Sequence, residues 1–424
     1  MRPVSRTVFA LGIAAALVAI VLPSLSAPLR RQFESRGVVR RTPPVRPVAV
    51  LATQASIEPL TVFGAPLPGL NAAQTAAFAA GLAEFNEIKN AGNGLGPIFN
   101  NRSCVSCHGQ PAVGGGSGIR VTRFGRITNG EFEALTHLGG SLLQQAAIDP
   151  LAREIVPTEA TVVALRQSTP LYGLGLIEAI PDEAILKNAE RQRSLGLNGV
   201  PSLVTDVVTG QVRVGRFGWK AQEAGILAFS GDAYVNEMGI TNRLFPQENA
   251  PNGNAALLVR FDRVADPEDT PDPVSGKSDI DLSADFMRLL APPPLQRFTQ
   301  TALQGRGVFE RTGCSGCHTP QMTTGLHTIQ ALSFRPVNLY SDLLLHDMGS
   351  LGDGIAQGTA GPRDIKTPPL WGLRASGPYL HDGRAQTVDA AIQAHEGEAA
   401  ASRDLYRLLT PVERQQLLEF LNTI

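Results

Sequence analysis

The chain has 424 residues, enough for two or three domains with full hydrophobic cores. Its 37 Lys and Arg residues balance 38 Asp and Glu residues, and the resulting net charge of −1 argues against nucleic acid as the main partner. The 43 Gly and 31 Pro residues predict helices set among long ordered loops and not a repeat array.

The N-terminus has the three parts of a secretory signal peptide. Arg2 and Arg6 precede an apolar stretch over residues 8–22, and small residues then allow cleavage after Ser26. The apolar stretch is shorter than the roughly 20 residues that span a bilayer, so we expect residues 1–26 to be removed. An uncleaved anchor would also export the chain. Residues 27–60, rich in Arg and Pro, predict a basic, disordered leader with at most peripheral membrane contact.

All four cysteines lie in two copies of Cys-x-x-Cys-His. An exported chain could use four cysteines for two disulfides, but this spacing is that of covalent haem attachment, in which two thiols bind the macrocycle and the His binds iron. Zinc would need a fourth ligand at short spacing, and a thioredoxin-like pair would need a βαβ pattern. The predicted attachment residues are Cys104, Cys107, Cys314 and Cys317, and the predicted proximal iron ligands are His108 and His318.

Three further elements are predicted along the chain. Apolar and polar residues alternate over residues 203–216, which predicts a β-hairpin with its turn at residues 209–210. The acidic, Pro-rich stretch at residues 266–281 indicates a solvated linker in preference to a calcium site. A C-terminal helix is predicted to begin with a capping box formed by Thr410 and Glu413.

The two halves of the chain have similar designs. The segments "GLGPIFNNRSCVSCH" and "GRGVFERTGCSGCH" carry Gly and Phe at matching offsets, and similar phrases follow both motifs. We therefore predict a mainly α fold with two cytochrome c-like haem domains, long ordered loops and one or two short β-hairpins. The N-terminal haem domain would cover residues 61–291 and the C-terminal haem domain residues 292–424.

Several phrases carry a family resemblance. The segments "GLGLIEAIPD", "NEMGIT", "SDLLLHDMGSLGDG" and "KTPPLWGLRASGPYLHDGRA" belong to a series that runs from residue 94 to the C-terminus. In this series the chain resembles the bacterial di-haem cytochrome c peroxidase superfamily. Within it, the chain is most similar to the di-haem oxidoreductases also described as peroxidases or thiol oxidoreductase-like proteins. The resemblance implies two covalently bound c-type haems with different tasks.

The resemblance also implies a distal ligand for the second haem. In the peroxidases, a Met that follows a "TAPYxHxG" turn fills this position, and alignment without gaps puts His395 there. Val388, Ala391 and Ile392 would share its helical face, which is the setting of a buried ligand. We expect a bis-His second haem, whose potential is lower than that of a Met/His haem. This difference puts the usual electron donor in doubt.

The first haem is expected to keep an open distal position. Relatives often have a second His shortly after the first motif, whereas here the next one is His137, for which an ordinary surface or core position is expected. The family's proton-transferring Glu falls on Glu237 in "NEMG". Ser376 and Pro378 match positions that help to hold calcium between the haems in relatives, although Ser replaces Thr.

The resemblance thus implies a periplasmic di-haem oxidoreductase that reduces hydrogen peroxide at the first haem. Electrons would come through the second haem from a donor protein such as a small cytochrome or cupredoxin. One alternative is a high-valent di-haem enzyme that oxidises a partner protein or an organic substrate. Another is a non-catalytic electron carrier or redox sensor, which would have two six-coordinate irons.

Overall fold

Helices and short strands alternate along residues 62–424, the part of the chain that the computed structural model describes. The predicted signal peptide at residues 1–26 and the predicted leader at residues 27–60 lie outside the described residues. In the described part we find no helix with the length and apolar content needed to cross a membrane.

The described residues contain eleven α-helices and twelve strands. The helices are α1 (Ala72–Asn86), α2 (Cys104–Cys107), α3 (Leu174–Glu178), α4 (Asp182–Ser194), α5 (Ile226–Met238), α6 (Ala255–Phe261), α7 (Asp279–Leu289), α8 (Gln300–Arg311), α9 (Val388–Gln393), α10 (Ala400–Arg407) and α11 (Pro411–Thr423). The strands are β1 (Ile98–Phe99), β2 (Arg120–Thr128), β3 (Glu131–Glu133), β4 (Leu142–Leu143), β5 (Ala146–Ala147), β6 (Val162–Gln167), β7 (Leu203–Thr205), β8 (Val212–Val214), β9 (Met322–Thr323), β10 (Pro336–Val337), β11 (Leu345–Asp347) and β12 (Asp364–Lys366).

Helices α1 and α7 cross closely beside the first Cys-x-x-Cys-His motif. A β-carbon on Gly81 of α1 would lie 2.3 Å from the carbonyl oxygen of Leu282, so only glycine allows this approach. Phe85 of α1 packs against Phe286 of α7, with ring centroids 4.7 Å apart. Phe85 also lies 6.2 Å from the ring of His108. The helix pair therefore forms an apolar wall next to the first predicted iron ligand.

Helices α8 and α11 repeat this arrangement at the second motif. A β-carbon on Gly305 of α8 would lie 1.9 Å from the carbonyl oxygen of Gln416 in α11. Phe309 packs against Phe420 with ring centroids 5.4 Å apart, and it lies 6.5 Å from the ring of His318. Each motif thus follows a helix that crosses its partner at a glycine and turns a phenylalanine towards the histidine.

Two locally determined elements are confirmed. Strands β7 and β8 pair in antiparallel register, with Leu203 opposite Val214, and form the predicted hairpin. Helix α11 begins at Pro411 behind a capping box, in which Thr410 Oγ1 accepts a hydrogen bond from the backbone N–H of Glu413. Both elements depend on contacts between residues close in sequence, which is why the amino-acid pattern predicts them.

The β-structure is more extensive than the predicted one or two short hairpins. Strand β2 pairs with β6 over residues 120–125, and it also pairs with β3 and β4, which gives a four-stranded antiparallel sheet. Four two-stranded sheets occur elsewhere in the described residues. Strand β2 contains three arginines at every third position, Arg120, Arg123 and Arg126. Charged residues of this kind are unfavourable in a strand unless tertiary contacts accommodate them.

The acidic stretch at residues 266–281 is not a wholly solvated linker, and that prediction is wrong for its inner part. Asp269 is buried and accepts hydrogen bonds from the backbone N–H groups of Asp279 (2.7 Å) and Ile280 (3.1 Å) at the start of α7. The predicted domain boundary after Ala291 falls in the loop between α7 and α8. The largest apolar core contains residues from both sides of it, including Phe286 and Leu344.

Candidate functional site

The first Cys-x-x-Cys-His motif forms the single helical turn α2, followed directly by His108. His108 Nδ1 lies 3.1 Å from the carbonyl oxygen of Gly115. Because a carbonyl only accepts, Nδ1 carries the hydrogen and Nε2 keeps its lone pair. Burial lowers the pKa of His108 to about 4, so the imidazole is neutral at pH 7. A neutral ring with a fixed tautomer is what an iron ligand requires.

The second motif repeats this donor arrangement. Cys314–Gly316 form a short 3₁₀ helix, and His318 Nδ1 lies 3.0 Å from the carbonyl oxygen of Tyr340. Burial, with the nearby His395, lowers the pKa of His318 to about 4. Nε2 of His318 is therefore also available for iron.

The four cysteines are unpaired and half-buried. This excludes the two disulfides that an exported chain could have formed in the described fold. Burial raises the pKa of Cys104 to about 12 and that of Cys107 to about 11, so neither is a reactive thiolate at neutral pH. Two thiols and one neutral imidazole at each motif fit a covalently attached haem.

His395 faces the second motif across a cavity of about 270 Å³. It follows helix α9, and its Nδ1 lies 2.8 Å from the carbonyl oxygen of Ala391, so Nε2 is again the free nitrogen. Both His318 and His395 line this cavity. Its apolar lining is supplied by Phe309, Leu370, Val388, Ile392, Leu417 and Leu421. A cavity with apolar walls and two imidazoles, each with a free Nε2, fits a haem held by both histidines.

A charged cluster borders the second cavity at Cys317. His346 Nδ1 lies 3.8 Å from Cys317 Sγ and 3.0 Å from a carboxylate oxygen of Glu398, and its Nε2 lies 3.0 Å from Asp342. Burial opposes a charge on this ring, yet hydrogen bonds to Asp342, Cys317 and Glu398 raise the pKa of His346 to about 12. His346 thus has a structural role, with three side chains hydrogen-bonded to its ring.

Glu237 lies near the C-terminal end of α5, close to the first motif. Its Oε2 accepts a 2.8 Å hydrogen bond from Asn100 Nδ2, and its backbone carbonyl accepts from the N–H groups of Asn100 and Asn101. Burial raises the pKa of Glu237, while the charge of Arg123 and the hydrogen bond from Asn100 lower it. Its charge also helps to raise the pKa of Cys107, which shows that the carboxylate and this attachment residue are neighbours.

Two polar neighbours of Glu237 were not found from the sequence. Arg123, on β2, interacts electrostatically with both Glu237 and Asp232. Asn100 comes from the loop that leads into the first motif. The sequence feature that could have indicated Arg123 is the arginine at every third residue of β2. Side chains alternate between the two faces of a strand, so arginines at this spacing cannot all lie on one face.

A buried ionic network links β6 to the C-terminal half. Arg166 Nε lies 2.7 Å from Asp353, and Lys220 Nζ lies 3.0 Å from the other oxygen of the same carboxylate. Burial lowers the pKa of Lys220 to about 8, in spite of the charge of Asp353. Gln167, the next residue of β6, donates a 2.6 Å hydrogen bond to the carbonyl oxygen of Pro378. These contacts hold the segment that leads to α9 and His395.

The predicted calcium residues already have protein partners. Ser376 Oγ donates a 2.9 Å hydrogen bond to the carbonyl oxygen of Gly372, and the carbonyl oxygen of Pro378 accepts from Gln167. A calcium ion at Ser376 and Pro378 stays a prediction.

Comparison with known proteins places these features in context. A family model described as "Di-haem oxidoreductase, putative peroxidase" matches residues 154–424. This range contains the second motif, Glu237 and His395, while the first motif precedes it. The methylamine utilization protein MauG of Methylophilus methylotrophus is 25% identical over 144 residues, which are 30% of this chain and 38% of MauG. The match therefore spans little more than a third of that relative.

Solved structures show a loose likeness over most of the chain. The hydrazine synthase of Kuenenia stuttgartiensis is 16% identical, covers 92% of this chain and 100% of its own, and has a TM-score of 0.38. A MauG-like protein associated with microbial copper homeostasis is 14% identical, with coverages of 86% and 93% and a TM-score of 0.37. The dihaem peroxidase BthA of Burkholderia thailandensis is 12% identical, with coverages of 82% and 85% and a TM-score of 0.36.

Proposed function

Because the chain belongs to the di-haem oxidoreductase family, we propose that it reduces hydrogen peroxide beside the first Cys-x-x-Cys-His motif, with electrons supplied through the second. The overall reaction is H₂O₂ + 2 H⁺ + 2 e⁻ → 2 H₂O. The electrons come from a donor protein such as a small cytochrome or cupredoxin. The haems, when bound, would pass these electrons on and provide the site of O–O cleavage, and the protein supplies access, ligands and protons.

The unlike surroundings of the two motifs carry this proposal. His318 shares its cavity with His395, and each ring offers Nε2 to that cavity because Nδ1 is bonded to a backbone carbonyl. At the first motif, the next histidine in sequence, His137, is exposed in the 3₁₀ turn Thr136–Leu138. We infer that a small oxidant reaches the first centre, while the second, with His318 and His395 lining one cavity, is suited to electron transfer.

Glu237 is suited to move the protons. Peroxide must lose a proton from one oxygen and deliver one to the oxygen that leaves as water, so a single carboxylate can act first as base and then as acid. Burial raises the pKa of Glu237, while the charge of Arg123 and the hydrogen bond from Asn100 oppose this rise by favouring the ionised carboxylate. Its position at the end of a helix, with its backbone carbonyl bonded to the loop before α2, fixes it relative to the first motif.

Covalent attachment of both haems and export to the periplasm belong to the same proposal. Unpaired thiols at both motifs allow two thioether bonds to each haem. The apolar stretch behind Arg2 and Arg6 provides the export signal.

The proposal is tested with the holoprotein by absorption and electron paramagnetic resonance spectroscopy, followed by stopped-flow measurement of peroxide consumption with a reduced donor. We expect one high-spin and one low-spin iron. Both irons remaining low-spin, including after one-electron reduction, would contradict peroxide reduction and favour an electron carrier. A third outcome is peroxide turnover that requires an organic substrate or a specific partner protein and is not supported by a small cytochrome or cupredoxin. That result would favour the alternative, a high-valent di-haem enzyme that oxidises this substrate or partner.

The role of Glu237 has its own test. Replacing Glu237 with Gln keeps the shape and removes the titrating group, and peroxide turnover should fall by on the order of 100-fold. Glu183→Gln, an identical change at an exposed position at the start of α4, serves as the control and should leave turnover unchanged. Equal turnover in the two variants would remove Glu237 from proton transfer.

A further inference from the structure

Arg123 lies on the central strand of the four-stranded sheet, opposite Ala164 of β6 and Leu142 of β4. One guanidinium nitrogen, Nη1, donates a 3.3 Å hydrogen bond to Ser141 Oγ. The guanidinium is therefore held at one nitrogen by Ser141, the residue before β4.

The rest of this guanidinium lacks the partners that a buried arginine normally has. Its Nε is buried and has no hydrogen-bond partner, and the described residues place no carboxylate within ion-pair distance of it. A buried N–H without an acceptor costs free energy, so such a group points to an acceptor that joins it during function. Burial and the charge of Arg166 lower the pKa of Arg123 to about 10, which leaves it a cation at neutral pH.

Two other arginines show what a purely structural role looks like in this sheet. Arg126, three residues along β2, binds Glu133 through Nε at 3.1 Å on the exposed edge. Arg166 on β6 binds Asp353 and Gln357, each at 2.7 Å, so it is paired with a carboxylate although its buried Nη2 also has no hydrogen-bond partner. Arg123 instead lies near Glu237 and Asp232 of α5 without pairing to either, and its charge acts on both carboxylates.

We propose that Arg123 is an anion-binding residue of the first-motif site, where its free Nε–H holds the oxygen of the hydroperoxide anion while Glu237 carries the proton. This inference rests on the proposed function and adds a second residue to it. The step is H₂O₂ + Glu237-COO⁻ → HOO⁻ + Glu237-COOH. An O–H bond of peroxide breaks, an O–H bond forms on the carboxylate, and no electron is transferred.

The physical reason for an arginine at this position is compensation of negative charge inside a buried site. The proton transfer moves one negative charge from Glu237 to the peroxide, and a buried anion without compensation is costly. A guanidinium placed near both positions offsets the charge before and after the transfer, and it needs no rearrangement. An ionised Asp232 opposes this compensation because it adds a negative charge near Glu237, although the same charge raises the pKa of Glu237 and so favours proton transfer to it.

The test uses fluoride as a small anionic probe of the ferric holoprotein, with its dissociation constant measured by absorption titration. Arg123→Leu should raise this constant by about 10- to 100-fold, the effect of losing one hydrogen bond between charged groups. Arg126→Leu on the same strand is the matched control and should leave it unchanged. Carbon monoxide binding to the reduced protein, which involves a neutral ligand, should be the same in both variants and the wild type.

Each outcome of the fluoride titration tests a different claim. If the wild type binds fluoride and the dissociation constant of Arg123→Leu is within about twofold of the wild-type value, the role of Arg123 is overturned. Peroxide reduction at the first motif would still stand. A wild type that binds no fluoride contradicts the open position, and both proposals fail with it. If Arg123→Leu does not fold, Arg123→Lys keeps the cation without the Nε–H and should weaken fluoride binding by about threefold or more. Unchanged affinity in that variant overturns the proposal equally.

Discussion

Asn100→Ser tests how the first site sets the ionisation of Glu237. Asn100 Nδ2 donates a 2.8 Å hydrogen bond to Glu237 Oε2. Serine is too short to replace it, while the backbone N–H of residue 100 can still bind the Glu237 carbonyl. The substitution therefore removes one contact to the carboxylate and leaves the helix end in place.

The expected shift can be worked out from this contact. A hydrogen bond to a charged group contributes about 1.5–3 kcal/mol, and one pKa unit corresponds to about 1.4 kcal/mol. Because Glu237 is half-buried, we take the lower end and expect its pKa to rise by about one unit. The direction follows from losing a donor that favours the ionised form, while burial, the largest cause, already raises the pKa.

The assay is the pH dependence of kcat/KM for peroxide. Glu237 must be ionised to accept a proton, so kcat/KM rises with pH through its pKa. In Asn100→Ser this acid limb should move up by about one unit, with a loss of about tenfold on the acid side and none well above the limb.

Asn93→Ser is the matched control. It removes a 3.0 Å bond from an Asn side chain to the carboxylate of Glu87 on the surface, and it should leave the profile unchanged. An acid limb of Asn100→Ser that coincides with the wild type would refute the reasoning, because the bond or the titrating group would then be wrongly assigned.

Two further predictions concern the second half. His395→Ala should convert the second haem from low-spin to high-spin in electron paramagnetic resonance spectra; an unchanged low-spin signal would assign its distal ligand to another residue. Gly305→Ala should lower the free energy of unfolding by about 3 kcal/mol, because the new β-carbon would lie 1.9 Å from the carbonyl oxygen of Gln416. Gly307→Ala on the same helix, where the nearest atom is the end of Arg311 at 4.0 Å, should instead raise it by about 0.5–1 kcal/mol in urea denaturation; equal effects of the two changes would contradict the close helix crossing.

The two haem-attachment motifs form locally, whereas the site around Glu237 is assembled from distant parts of the chain. Each Cys-x-x-Cys-His segment is complete within one helical turn, and its histidine is oriented by a backbone carbonyl, 7 residues away at His108 and 22 residues away at His318. Glu237 reaches the first motif only because α5 packs beside β1 and the loop at Asn100. The resemblance predicted a role for Glu237, while its neighbours Asn100 and Arg123 became visible only in the folded chain.

The amino-acid sequence by itself determined the features that depend on neighbours in the chain. The spacing of the two motifs, the hairpin at Leu203–Thr205 and Val212–Val214, and the capping box of α11 all follow from residues within about ten positions of each other. Repetition of the motif and its flanks also indicated the common design of the two halves.

Only the tertiary structure decided where the charges lie. Arg123, Arg166 and Lys220 look like ordinary surface cations in the sequence, yet the fold encloses them next to Glu237 and Asp353. The charged groups nearest to these cations come from distant parts of the chain, with Asp353 187 residues away from Arg166, and no local pattern specifies which charges will meet. A buried charge is stable only where distant segments bring compensation, and that compensation exists only once the chain has folded.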